Sequence, residues 1–243
     1  MAVFQTDQQQ KSAIVIGATG LVGCLLVEKL LASRHYRTVY QVVRHASPAI
    51  VGTAYDQSLQ TIVVPDFGRL EKALTRLDLN EADAFSTLGT TLKQAGSKAK
   101  FSQVDLTYNL NFAQTVKELG AQHFLLLSAT GANADSAVFY NRIKGQLERA
   151  VEQLCFERLS IFQPSLLLGQ HRDKRLMESV AQKAFKLGQH IVPADWRYRP
   201  IEAERVAQAM YLAATGFSAR QTSHGKMIYS NTDLLNMTLE IPA

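Results

Sequence analysis

The segment Gly17-Ala-Thr-Gly20-Leu-Val-Gly23 constrains this chain more than any other, because it joins an apolar run, Ala13–Ile16, to a helical pattern, Leu21–Ala32. Three glycines at intervals of three answer three physical demands. One permits a tight turn, another lets the backbone approach a pyrophosphate, and the third allows a helix to lie close against its strand. The start of the helix then offers unpaired N–H groups and a partial positive charge to phosphate oxygens. Strand, glycine turn and helix in that order predict a dinucleotide site, with Gly17, Thr19, Gly20, Leu21, Val22 and Gly23 around the phosphates.

The same alternation continues along the chain. Thr38–Val43, Thr61–Val64, Ala84–Thr87, Phe124–Leu127 and Arg158–Phe162 read as strands, and Lys226–Tyr229 as a late one. Leu70–Leu77, Phe101–Leu119 and Ala137–Leu154 read as helices between them, and Met177–Leu187 and Ala203–Ala214 as helices beyond Pro164. Strands and helices in alternation predict an α/β fold, a doubly wound parallel sheet of the Rossmann type with a small C-terminal cap on the substrate side. Met1–Lys11 is polar and Gln-rich without an apolar core, so it reads as a disordered lead-in and not a secretory signal. Residues 12–243 then form a single NAD(P)-binding domain, a length that buries one sizeable core.

Composition removes other classes. No apolar stretch approaches a bilayer-spanning length, so no membrane span is expected. Two cysteines, Cys24 and Cys155, support neither a disulfide framework nor a zinc cluster, and suit a reducing, cytoplasmic setting. The six histidines show no metal-ligand spacing, and no metal is expected. Of the net charge of +5, the densest basic segments are Lys93–Lys100 and His171–Arg175, in expected loops beside the cleft. Solvated loops, and then attraction of an anionic cofactor, account for them better than nucleic acid does.

Strand two bears on cofactor type. An NAD site places an acid near the end of this strand for the ribose 2′-hydroxyl. Between Glu28 and Asp56 there is no Asp or Glu, and Arg44 stands at that position. A guanidinium there suits a 2′-phosphate, so NADP(H) is preferred over NAD(H).

A second constellation lies further along. Tyr140-Asn-Arg-Ile-Lys144 falls in a predicted helix, and a spacing of four puts phenol and ammonium on one face. A phenol of pKa about 10 is a poor acid–base catalyst near neutrality, and a neighbouring cation favours its ionised form. Ser128 follows the apolar run Phe124–Leu127, at the strand end where open α/β sheets bind ligands. Thr130 is an alternative hydroxyl, since register at the strand end is ambiguous.

Together these residues resemble the short-chain dehydrogenase/reductase superfamily, and more narrowly its atypical members related to the Tat-interacting-protein oxidoreductases. The resemblance runs from about Ser12 to Val206 through GATGLVG, LGTTLKQAGSKAKF, LLLSATGA, YNRIKG and the region of Pro164. It implies that Tyr140 is the proton donor or acceptor, that Lys144 grips the nicotinamide ribose and that Ser128 orients a substrate carbonyl. It also implies that Asp66 contacts the adenine edge, although a capping aspartate explains that residue nearly as well. Leu88-Gly89-Thr90-Thr91 stands where the superfamily usually has Asn-Asn-Ala-Gly, and Leu88, Gly89 and Thr90 would line the cofactor in its place. Asn109 and Asn111 are candidates for the family's accessory Asn.

The resulting expectation is an NADP(H)-dependent oxidoreductase acting on a small, partly apolar carbonyl or hydroxyl metabolite. Its pocket would draw on Gly131–Phe139 and Leu166–Tyr198. The alternative is a non-catalytic NADP(H)-sensing protein that binds a partner. An epimerase or dehydratase keeps the same Tyr–Lys pair, and the short segment after Pro164 counts against it. Helices such as Phe101–Leu119 pair subunits in many relatives, which leaves a homodimer open.

Overall fold

The computed structural model describes residues 11–33, 35–46, 58–169, 197–216 and 225–237. Strands β1 (Lys11–Ile16), β2 (Tyr36–Val43), β3 (Leu59–Val63), β4 (Asp83–Ser86), β5 (His123–Leu127), β6 (Arg158–Gln163) and β9 (Gly225–Ser230) form one sheet in the order β3-β2-β1-β4-β5-β6-β9. Every pairing in it is parallel. A two-stranded parallel ribbon, β7 (Leu167–Leu168) with β8 (Ile201–Glu202), stands beside it. The strand order reverses between β1 and β4, the switch point at which such sheets open a crevice.

Strand β1 shows why the sheet is sealed on both faces. Ala13 and Val15 point into one core and Ile14 and Ile16 into the other, as the two-residue period of a strand requires. The first core is closed by α1 (Leu21–Ala32) and α7 (Ala203–Thr215), the second by α2 (Leu70–Leu74), α5 (Asn109–Glu118) and α6 (Phe139–Glu152). Leu26 of α1 is fully buried in the first core, where truncation to Ala costs ~2–5 kcal/mol in comparable interiors.

The C-terminal third departs from the expected cap. Helix α7 packs along α1, and β9 extends the main sheet beside β6, so much of this third completes the core. Helix α8 (Asn231–Asn236) begins with a capping box of Ser230 and Asp233. Arg205 of α7 donates to the carbonyls of Leu234, Leu235 and Met237, each at 2.8 Å, and so satisfies acceptors where α8 ends. Among the described residues of this third, the segment 164–169, which includes β7, stands on the substrate side. The predicted helix Met177–Leu187, the basic segment His171–Arg175, Trp196 and the lead-in up to residue 10 lie outside them. Lys11, assigned to that lead-in, is the first residue of β1.

The predicted helix Phe101–Leu119 is interrupted. It runs as α4 (Lys98–Ser102), a wide π turn (Gln103–Tyr108) and α5. Asn109, buried, reaches back from α5 to donate to Val104 O at 2.9 Å and Leu88 O at 3.2 Å. Part of the basic segment Lys93–Lys100, expected as loop, is helical in α3 (Leu92–Ala95) and α4, whose starts are capped by Thr91 and Ser97.

Candidate functional site

The turn after β1 is held by close contacts that only glycine allows. Gly17 has φ +79°, and a Cβ there would lie 2.5 Å from both the amide nitrogen of Leu88 and the carbonyl carbon of Thr87. A Cβ on Gly23 would stand 2.2 Å from Gly17 O. These two glycines pack the loop and helix against the end of β4 and do not themselves line the cleft. Gly20 is different: it precedes α1 with no side-chain cap, and Gly20, Leu21 and Val22 form the cleft rim. The first turn of α1 carries no acid, so its amides face the cleft without a competing charge. This cradle fits the phosphates of a dinucleotide.

The cleft has a volume of about 280 Å³. Leu88, Gly89 and Thr90 form the β4 side, and Thr91 and Gln94 continue it. Ser128, Tyr140 and Lys144 meet across from the glycine rim, among Leu127, Ala129, Pro164 and Leu167. Residues separated in sequence by more than a hundred positions are thus brought to one cavity.

Lys144 is the most constrained of them. Its Nζ lies 2.8 Å from Asp105 Oδ1, with side-chain exposures of 5% and 1%. Asp105 Oδ2 accepts from the Thr90 amide at 2.9 Å, so one carboxylate ties the β4 loop to α6. Burial alone would push the Lys144 ammonium down. The charges of Asp105 and Tyr140, with the Asp105 hydrogen bond and the charge of Glu148, outweigh it and hold the group above its ordinary value. Lys144 therefore stays charged near neutrality, next to the phenol.

The two hydroxyl candidates separate cleanly. Thr130 donates to Gln163 O at 2.8 Å and its amide donates to Pro164 O at 2.8 Å, which commits it to the β5–β6 junction. Ser128 lines the cleft and donates to Glu148 Oε1.

Some expected residues lie elsewhere. Arg44 follows β2 on the exposed surface, outside the cleft lining, and Thr19 is exposed on the glycine turn. Asp66 accepts from the Gly68 amide at 2.8 Å and lies 3.7 Å from Arg69, so it caps the 3-10 turn Phe67–Arg69. Asn109 receives the Ser86 hydroxyl and steadies the π turn, and Asn111 is partly buried outside the cleft lining. The segment Gly131–Phe139, expected in the substrate pocket, does not line it. Its backbone folds onto α6: Asn133 N bonds to Asn141 O at 3.0 Å, and a Cβ on Gly145 would meet Ala134 N at 2.1 Å. Tyr198 is exposed, while Leu167 and Gly169 do line the cleft.

Two functional candidates escape a motif-based reading, Asp105 and Glu148. Asp105 is the sole acid between Asp83 and Glu118, set within a basic stretch. Glu148 repeats the four-residue spacing of Tyr140 and Lys144 on the same helix face.

A different cluster sits at the opposite, amino end of the strands. Asp83 Oδ1 is 3.5 Å from His123 Nδ1, and His123 Nε2 is 2.9 Å from Ser160 Oγ, the order of a hydrolytic triad. Asp83 and His123 are sealed, Ser160 is 6% exposed, and none of the three lines the cleft. Tyr36 also donates to Asp83 at 2.7 Å and Arg158 at 3.3 Å, which makes this a packed structural cluster.

Comparison with known proteins agrees with the geometry. The profile described as the NAD dependent epimerase/dehydratase family matches residues 13–146. Protein HTATIP2 of Rattus norvegicus is 34% identical over 177 residues, covering 73% of this chain and 71% of that protein. Protein FMP52, mitochondrial, of Lodderomyces elongisporus is 34% identical over 167 residues, covering 68% and 70%. Among solved structures, the Bordetella bronchiseptica enzyme WbmH, in complex with NAD+, superposes with a TM-score of 0.66 at 14% identity, covering 90% of this chain and 75% of WbmH. The naming of several such relatives as mitochondrial overturns the cytoplasmic placement drawn from cysteine content. Two free thiols do not say which compartment holds the chain.

Proposed function

The chain belongs to the NAD dependent epimerase/dehydratase family, and from that premise we propose that it is an oxidoreductase of the short-chain type moving hydride between NADP(H) and a small carbonyl or hydroxyl metabolite. The observation that carries this reading is the meeting of Ser128, Tyr140 and Lys144 with the Gly20–Val22 rim in one cleft. A bound nicotinamide supplies or takes up the hydride; the remaining work belongs to the protein. Leu21 and Val22 amides at the start of α1 hold the pyrophosphate. Lys144, fixed by Asp105, holds the nicotinamide ribose and keeps a positive charge beside Tyr140. Tyr140 gives a proton to the substrate oxygen or takes one from it, and Ser128 orients that oxygen. Leu127, Ala129, Pro164 and Leu167 make one wall apolar, which suits a partly apolar substrate and limits water near the reacting atoms.

NADP(H) is preferred because Arg44 follows β2 where an NAD site would carry an acid.

The test is Tyr140→Phe, which removes only the phenolic oxygen. Cofactor affinity should change little, while turnover on substrates found by screening aldehydes, ketones and quinones should fall by ~10²–10⁴. Unchanged turnover would discard the mechanism. Wild-type protein with no turnover, alongside a protein partner whose affinity follows the NADP⁺/NADPH ratio, would replace the enzyme with a sensor. Substrate isomerisation without net change in cofactor absorbance would move the reading to an epimerase, the chemistry named in the family description.

A further inference from the structure

Ser128 does not present its proton to the cleft. The hydroxyl donates to Glu148 Oε1, which leaves its lone pairs for a ligand. Glu148 also receives Gln163 Nε2, at 3.0 Å from each carboxylate oxygen. The remaining charges acting on it are Lys144 on its own helix and Lys226 on β9, the latter paired with Glu152 at 2.5 Å. The amide nitrogen and both ammonium groups only donate. Among these neighbours, the Ser128 oxygen is the one that can either donate a hydrogen bond to Glu148 or accept one from it.

We propose that Glu148 is a positioning residue whose protonation state decides whether Ser128 offers the bound substrate an acceptor or a donor. With Glu148 ionised, the Ser128 O–H is spent on the carboxylate and the serine suits a substrate hydroxyl. One proton taken from solvent onto Glu148 reverses the bond: the carboxylic acid donates to Ser128 Oγ, and the serine O–H turns to a substrate carbonyl. This rests on reading the cleft as a dehydrogenase site. Burial pushes the Glu148 carboxyl up from its usual value, opposed by the hydrogen bonds from Ser128 and Gln163 and by the charges of Lys144 and Lys226. The switch therefore falls above the ordinary value of a glutamate carboxyl.

Two measurements decide it. Infrared titration of the purified protein should show a carboxylic-acid band that is absent in Glu148→Gln and displaced in Ser128→Ala, because the serine is its hydrogen-bond partner. Both variants nearly preserve side-chain volume, and thermal denaturation checks that they fold. In kinetics with a carbonyl substrate from the screen, wild-type kcat/KM should fall about tenfold as Glu148 ionises, the worth of one hydrogen bond. Glu148→Gln should lose that step, since its neutral amide donates to Ser128 at every pH. A band unmoved in Ser128→Ala, or a pH step that persists in Glu148→Gln, overturns the proposal. Absence of wild-type turnover would remove the dehydrogenase reading and leave the infrared result to decide this one.

Discussion

The two ends of the parallel sheet carry similar chemistry and put it to different uses. At the amino end, parallel register lines up the first residues of β4, β5 and β6, Asp83, His123 and Arg158, and Tyr36, the first residue of β2, adds its hydroxyl. These groups face one another, and all but the partly exposed Arg158 are buried. At the carboxyl end, the chain leaves the strands in diverging directions, and the charged groups Asp105 and Lys144 border a cavity. A buried carboxylate beside a cation is thus no signature of function by itself. The free space next to it is what distinguishes the two clusters, and open α/β sheets provide that space at the carboxyl ends of their strands.

Asp83→Asn should produce the largest effect on this contrast. It leaves Arg158 and His123 without their carboxylate, and breaking a buried pair of this kind costs ~3–5 kcal/mol. Urea denaturation should show that loss, while the folded fraction binds cofactor as before; weakened binding in fully folded protein would erase the distinction between the ends. The pH dependence follows from the same cluster. Burial raises the Asp83 carboxyl, but the hydrogen bond and charge of His123, with Lys11 and Tyr36, outweigh it and leave it below its ordinary value. Its contribution is present above the unfolded-state value and is lost as pH falls through the folded one. Burial also lowers His123 from 6.5 despite Asp83, so the unfolded chain takes up protons first. Stability should decline as pH drops below about 6.5, and continue down through the carboxylate range.

Asp105→Asn tests the other end. Turnover should fall on the order of tenfold to a hundredfold, the worth of a charge-assisted hydrogen bond. Because Asp105 is the leading influence that holds the Lys144 ammonium up against burial, the alkaline limb of the pH–rate profile should move to lower pH. A large drop in melting temperature with an unmoved profile would make Asp105 a structural residue like Asp83.

The smallest effect belongs to Arg44→Ala, outside both clusters. Fluorescence titration should show preference for NADPH over NADH falling by about two- to fivefold, with stability unchanged, since an exposed ion contact is worth less than a buried one. Equal wild-type affinity for the two cofactors would remove Arg44 from the site.

Short-range pattern was enough for much of this protein. The glycine turn between a strand and a helix named the fold, alternating apolar runs located most of the strands, and a spacing of four paired Tyr140 with Lys144. Such features are encoded within a few neighbouring residues, where backbone sterics and helix geometry act without help from the rest of the chain. Tertiary structure decided what distance in sequence conceals. Asp105 meets Lys144 through the π turn, Ser128 meets Glu148 across a strand–helix crossover, and β9 joins the sheet beside β6. The same is true of the loop Gly131–Phe139 folding away from the cleft, of Thr130 bonding to the β6 end, and of Asp83, His123 and Arg158 aligned by register. Each depends on which crossovers bring which strand ends together, and a contact of that kind leaves no periodicity in either partner's local sequence.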